Sequence, residues 1–221
     1  MLEALKEQIV QVAREAEAMG LCQHRSGNFS VRDAATGLIC MTPTGVDRTM
    51  MQPSAVVVMN AQAEVVESLE GLRPTSEALM HLAAYEARPD AFAVVHTHSP
   101  LALSFAAARR EIPAVTLEMA HLNCRRARVP VAPFGRQGTA ALADSVREPL
   151  AESDAILLAS HGALTVDKTL AGALLKAAYL EEIAGVYYRA LQLTGGAEPP
   201  CLSTDDLCLR YPGAVKQKRI L

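Results

Sequence analysis

No apolar run in this 221-residue chain approaches the roughly 18–20 residues that a membrane-crossing helix needs, so none is expected. Neither sign of charge dominates. Lys and Arg number 21 against 24 Asp and Glu, a net charge of −3. With no basic stripe or basic amphipathic helix, the sequence offers nothing to a nucleic acid or an anionic membrane surface. Cysteine is sparse and unpatterned. Cys22, Cys40, Cys124, Cys201 and Cys208 make an odd set without a C-x-x-C pair. That argues against a disulfide framework or a cysteine zinc site and suits reduced thiols in the cytoplasm. The first residues, Met1-Leu-Glu-Ala-Leu-Lys-Glu, carry acids early and have no apolar centre, so a signal peptide is not expected. The P-loop, the dinucleotide fingerprint and the G-x-S-x-G elbow are also missing. What is present is a half-hydrophobic chain of a length that suits one α/β domain spanning 1–221.

Periodicity predicts a helix over 2–19, where Leu2, Leu5, Ile9, Val12, Ala16 and Met19 stripe one face and Gly20 stands ready to stop it. Strands are expected over 27–32, 38–41, 55–59 and 63–67. The last two are too closely joined to be parallel. A helix opens at Arg73-Pro74-Thr75-Ser76-Glu77, with Thr75 or Ser76 as its N-cap. Ala91 to His96 reads as a strand, and Ser99-Pro100 starts the next helix. Weaker strands are expected at 115–117 and 128–132, a helix at 137–150, strands at 155–159 and 163–166, and a long helix at 168–193. Strands and helices mix without strict alternation, so a mixed or antiparallel sheet with helices on its faces follows.

His96-Thr97-His98 is the sharpest chemical signal. On a strand, residues two apart share a face, so both imidazoles can converge. His161 also ends an apolar strand and precedes a glycine. Three neutral imidazoles with an open position suit catalytic zinc, although Mn²⁺, Co²⁺ or Fe²⁺ accept the same donors. Glu77, in a first helical turn, is either a helix-stabilising charge or a base beside a metal. His24 and His81 read as surface or helix-face residues. Gly27-Asn28, Thr44-Gly45 and Thr75-Ser76 are three turns exposing N–H and hydroxyl groups of the kind that hold anions.

Taken in order, Gly27-Asn28-Phe29-Ser30-Val31-Arg32, Thr42-Pro43-Thr44-Gly45, Pro74-Thr75-Ser76-Glu77, Val94-Val95-His96-Thr97-His98 and His161-Gly162 resemble the class II aldolase/adducin family over roughly residues 5–195, and its sugar-phosphate aldolase branch in particular. The resemblance implies a single-domain three-layer α/β/α fold around a mostly antiparallel sheet, in a fourfold homotetramer. It also implies that the tail from about residue 199 sits at a subunit interface. It implies Zn²⁺ held by His96, His98 and His161, Glu77 as catalytic acid/base, and substrate phosphate held by Asn28, Thr44, Gly45, Thr75 and Ser76. The implied reaction cleaves a phosphorylated ketose to dihydroxyacetone phosphate and an aldehyde through a metal-stabilised enediolate. Epimerisation of ribulose 5-phosphate, decarboxylation of a phosphorylated oxo-acid and a non-catalytic scaffold are the family's other uses. Two positions depart from the branch. Arg25 replaces a threonine in the phosphate loop. Leu117 falls where the branch carries a proton-donating tyrosine after Pro113, with Glu118 and His121 nearby. Tyr211 is available as a C-terminal tyrosine.

Overall fold

The computed structural model describes residues 2–210. The elements run α1 (Glu3–Ala18), β1 (Asn28–Arg32), β2 (Ile39–Met41), β3 (Val57–Met59), β4 (Val65–Glu67), α2 (Ala78–Ala87), β5 (Ala93–Thr97), α3 (Pro100–Ala108), β6 (Ile112–Pro113), β7 (Arg128–Val129), β8 (Val131–Ala132), α4 (Ala140–Ser145), α5 (Arg147–Glu152), β9 (Ala155–Leu158), β10 (Gly162–Asp167), α6 (Leu170–Leu193) and α7 (Thr204–Arg210). Eight strands form one sheet in the order β4-β3-β2-β1-β5-β10-β9-β8. Every pair in it is antiparallel except β8 with β9.

Both faces of the sheet are covered except at the edge strand β4, where Val65 and Val66 are exposed, and β2, β3 and β9 read as unbroken apolar runs. Ile39, Met41, Val57, Met59, Val94, Ile156, Leu158, Leu164 and Val166 pack against α2, α4 and α5. The alternate residues Phe29, Val31, Cys40, Val58, Ala93 and Val95 pack against α1 and α6. Ala155, Leu157 and Ala163 meet α3 and α6. The period of two thus sorts each strand between two helical layers. The result is the expected three-layer α/β/α fold.

Local chemistry explains two of the boundaries. Gly20, at φ 73°, ends α1 in the left-handed region a C′ glycine accepts without strain. Pro100 opens α3 at its first turn, and Glu181 accepts the N–H groups of Leu101 and Ala102 at 2.9 and 2.8 Å.

Four expectations are corrected. Residues 137–150 hold two helices, α4 and α5, not one. Pro149 has no N–H for the carbonyl of Ser145, and α4 ends there. The 128–132 strand divides at Pro130 for the same reason, although the Pro130 carbonyl still accepts from Leu157 at 2.9 Å. No strand forms at 115–117. Leu117–Leu122 is a 3₁₀ helix, whose Met119 and Leu122, three apart, are both fully buried. Neither Thr75 nor Ser76 caps α2, because the capping position falls to Glu77 and no side chain caps the helix.

Candidate metal centre and active site

The sheet register brings the pieces together. In the β1–β5 pair Asn28 faces His96, and in the β5–β10 pair Leu164 faces His96 from the other side. His96 follows Val94 on the α2 face of the sheet, which Asn28 and Ser30 share. His98 lies just past β5, and His161 sits in the tight turn from β9 to β10, where its N–H bonds the Leu158 carbonyl at 2.9 Å. The three rings meet with centroids 4.8–5.1 Å apart. One ring nitrogen from each lies within 4.8 Å of the others.

Two glycines make this approach possible. A Cβ on Gly162 would lie 2.3 Å from the Thr97 carbonyl oxygen, 3.1 Å from His96 Cε1 and 3.2 Å from His98 Cδ2. A Cβ on Gly27, at φ +78°, would lie 2.6 Å from both Cys22 Sγ and the His96 carbonyl oxygen.

Glu77 enters from the start of α2 and is 1% exposed. Its Oε2 lies 3.1 Å from His96 Nε2 and its Oε1 2.9 Å from His161 Nε2. Asn28 Nδ2 donates to Oε2 at 2.7 Å. Burial pushes the Glu77 carboxyl up, but the facing His96 and His161 rings and the Asn28 amide outweigh it and hold it well below the usual carboxylate range. The His98 ring is held down at about 4, by burial first and then by His96 and His161.

The donor set fits a divalent metal. His96 Nδ1 lies 2.8 Å from the Ala163 carbonyl oxygen. That carbonyl can only accept, so Nδ1 carries the hydrogen and Nε2 presents its lone pair. This Nε2 stands 3.0 Å from His98 Nε2. Glu77 Oε1 and His161 Nδ1 are buried without a hydrogen bond. Converging lone pairs beside an under-satisfied carboxylate are costly to bury without a cation. His96, His98 and His161 are the residues that could hold such an ion, with Glu77 alongside.

The turns expected to hold an anion are stitched to this centre. Thr42 Oγ1 accepts the Phe29 N–H at 3.2 Å. The Thr75 N–H bonds the Thr42 carbonyl and the Thr44 N–H bonds the Arg73 carbonyl, both at 3.0 Å. Thr44, Gly45 and Ser76 are exposed and Thr75 is buried. Thr75 Oγ1 accepts the Glu77 N–H at 3.3 Å, and Gln137 donates to Ser76 Oγ at 3.1 Å. Arg48, buried against the Phe29 ring, donates to the carbonyls of Ser26 and Gly27 and so clamps the loop before Asn28.

These contacts set the motifs of the sequence in one place. The family profile described as "Class II Aldolase and Adducin N-terminal domain" matches residues 7–188. The chain belongs to this family. A 5-deoxy-D-ribulose 1-phosphate aldolase of Bacillus thuringiensis serovar kurstaki is 33% identical over 207 residues, covering 94% of this chain and 93% of that protein. The L-fuculose phosphate aldolase of Escherichia coli is 33% identical over 205 residues, covering 93% and 91%. A solved L-fuculose 1-phosphate aldolase superposes with a TM-score of 0.87 at 29% identity, covering 97% of this chain and 96% of that one.

The sequence also singled out other residues of this class II aldolase family member. His81, read as a surface or helix-face residue, is a fully buried ring on the inner face of α2, bonded to Asn28 and Ser30. The signal was present: Glu77, His81 and Tyr85 are spaced by four, one face of a helix, and Asn28 and Ser30 by two, one face of a strand. Arg25 is exposed at φ 90° and lines a surface cleft with Glu17, His24, Asp47 and Arg48. Leu117 and Glu118 lie in the 3₁₀ helix with His121, whose ring stacks on Tyr179 at 4.5 Å. Tyr211 lies outside the described residues.

Proposed function

We propose that the protein is a metal-dependent aldolase that cleaves a phosphorylated ketose to dihydroxyacetone phosphate and an aldehyde. The observation that carries this reading is the contact of one buried carboxylate, Glu77, with a cluster of three histidines. A bound divalent ion, expected to be Zn²⁺, supplies Lewis-acid stabilisation of the negative charge that develops as the carbon–carbon bond breaks. Mn²⁺ or Co²⁺ would accept the same donors.

The remaining chemistry falls to the chain. Oε2 of Glu77 is held by Asn28, whereas Oε1 accepts no hydrogen bond. Oε1 is therefore the atom to remove the C–H proton of dihydroxyacetone phosphate in the condensation direction; in cleavage it takes a proton up from solvent and delivers it to the enediolate carbon, while the hydroxyl proton of the broken bond is lost to solvent. Thr44, Gly45, Thr75 and Ser76 supply hydroxyl and N–H donors to the substrate phosphate. The amide hydrogen of Asn28 not used by Glu77 can join them. Arg48 keeps the first phosphate loop in register. His96, His98 and His161 orient what binds between them.

The relatives named above act, by name, on 5-deoxy-D-ribulose 1-phosphate and L-fuculose 1-phosphate. Both are phosphorylated ketoses and are the first substrates to offer. A second reading has a specific basis. Leu117 cannot protonate an aldehyde oxygen, and Arg25 can bind a second anionic group, so decarboxylation of a phosphorylated oxo-acid or 4-epimerisation of ribulose 5-phosphate competes with cleavage. Product analysis on the metal-loaded protein decides. Dihydroxyacetone phosphate with an aldehyde is the expected result; an isomer or CO₂ instead overturns the aldolase reading. A cytoplasmic homotetramer is part of the proposal. Light scattering should give four times the 23.6 kDa subunit mass.

A further inference from the structure

Behind Glu77 a line of polar side chains runs between α2 and the sheet, away from the metal cluster. Asn28 Nδ2 lies 2.7 Å from Glu77 Oε2. Asn28 Oδ1 lies 2.5 Å from His81 Nε2. His81 Nδ1 lies 2.7 Å from Ser30 Oγ, and Ser30 Oγ 2.8 Å from the Tyr85 hydroxyl. His81 and Ser30 are completely buried, Tyr85 is 3% exposed and Asn28 6%.

The direction of every bond follows from the first. An ionised carboxylate only accepts, so Asn28 presents its NH₂ to Glu77 and its oxygen to His81. His81 must then carry its hydrogen on Nε2, leaving Nδ1 to accept from Ser30. Ser30, having given its hydrogen, accepts from Tyr85. The opposite His81 tautomer would set a ring lone pair against the Asn28 oxygen at 2.5 Å. Flipping Asn28 to relieve that would set its oxygen against the carboxylate. Each alternative leaves buried polar groups unpaired, at about 1–3 kcal/mol apiece, so one arrangement is selected.

We propose that His81, locked as the Nε2–H tautomer by Asn28 and Ser30, is a positioning residue that fixes the orientation of the Glu77 carboxylate through Asn28. The role rests on the aldolase reading, because it needs Glu77 to be the group that moves the proton. His81 touches neither substrate nor metal. It holds the Asn28 amide so that Oε2 is tied and Oε1 is left for proton transfer. A carboxylate able to rotate would spend much of its time misaligned, and misplacing a reacting group by about 1 Å can cost on the order of 100-fold.

The test uses metal-loaded full-length protein and follows exchange of the C–H proton of dihydroxyacetone phosphate with D₂O by NMR. His81→Leu should keep its metal and its KM for that probe but lower kcat for exchange by about 10–100-fold, the usual cost of losing such a supporting hydrogen bond. His81→Gln can donate to Asn28 and accept from Ser30, and should recover most of the loss. A purely structural role would instead lower stability in both variants and restore nothing selectively. Histidine ¹⁵N spectra of the unmodified protein should show a protonated Nε2 and a bare Nδ1 at His81. If His81→Leu does not fold, Ser30→Ala, which leaves Nδ1 without its donor, should lower kcat in the same direction. Wild-type exchange in His81→Leu alongside a dead Glu77→Gln overturns the positioning role alone, as does an Nδ1–H tautomer. No exchange by the unmodified protein overturns the aldolase reading and the positioning role with it.

Discussion

Asn28 of β1 stands opposite His96 of β5 in the sheet, and its amide nitrogen lies 2.7 Å from the Glu77 carboxylate. One cross-strand pair thus couples a metal-ligand candidate to the catalytic acid/base candidate without the two being near in sequence.

Replacing His96 tests the metal centre. Among the described residues its nitrogen belongs to the one group arranged to hold an ion. His96→Ala should lose the bound metal while the unmodified protein keeps about one ion per subunit, read by mass spectrometry of the purified proteins. Equal metal in both would move the site elsewhere.

Glu77→Gln should separate binding from proton transfer. The three imidazoles remain, so metal content should stay near that of the unmodified protein. Exchange of the dihydroxyacetone phosphate proton should fall by about 10²–10⁴-fold, the usual contribution of a general acid or base. Undiminished exchange would remove Glu77 from the chemistry.

Gly162→Ala should damage the centre from behind. Its Cβ would meet the Thr97 carbonyl oxygen at 2.3 Å and press on the rings of His96 and His98. Overpacking of this kind costs about 1–3 kcal/mol. Weaker metal retention and a lower denaturant midpoint are expected together. A stable variant with full metal would show that the turn can yield.

Arg48→Met should act on substrate binding. It removes the clamp on the Ser26 and Gly27 carbonyls but leaves the histidines and Glu77 in place. KM for a phosphorylated ketose should rise about tenfold, with kcat and metal content nearly unchanged. A fall confined to kcat would contradict this assignment.

Acid should destabilise the fold through His81. Burial first, and the charge His96 would carry second, hold its ring at about 3, against 6.5 for an ordinary histidine. The unfolded chain takes up this proton near pH 6.5 and the folded chain does not. The contribution is therefore complete above pH 6.5 and is lost as pH falls from there towards 3, by on the order of a few kcal/mol. Denaturant midpoints of metal-free protein between pH 7 and 4 should fall less steeply in His81→Gln. Parallel slopes would place the titrating group elsewhere.

Much of this was legible from local pattern. The stripe from Leu2 to Met19 marked α1, and Pro100 marked the start of α3. His96, His98 and His161 were readable as a converging set because two lie two apart at a strand end and the third precedes a glycine. Helix breaks were less visible. Pro149 and Pro130 interrupt segments whose apolar residues read continuously, and a backbone without its N–H overrides that periodicity. Thr75 and Ser76 looked like caps, yet the capping place fell to Glu77, whose side chain turns into the site.

By itself the sequence determined which residues could do chemistry and on which face of its own element each would lie. Those are properties of covalent geometry and of periods of 2 and 3.6, and they are local. Only the tertiary structure decided which faces meet. The register that sets Asn28 against His96, and the docking of α2 that lays Glu77, His81 and Tyr85 over Asn28 and Ser30, depend on burying two helical layers against one sheet. That is why His81, which read as a surface or helix-face residue, is sealed at the centre of the network. Its partners are 51 and 53 residues away, and no local signal measures that separation.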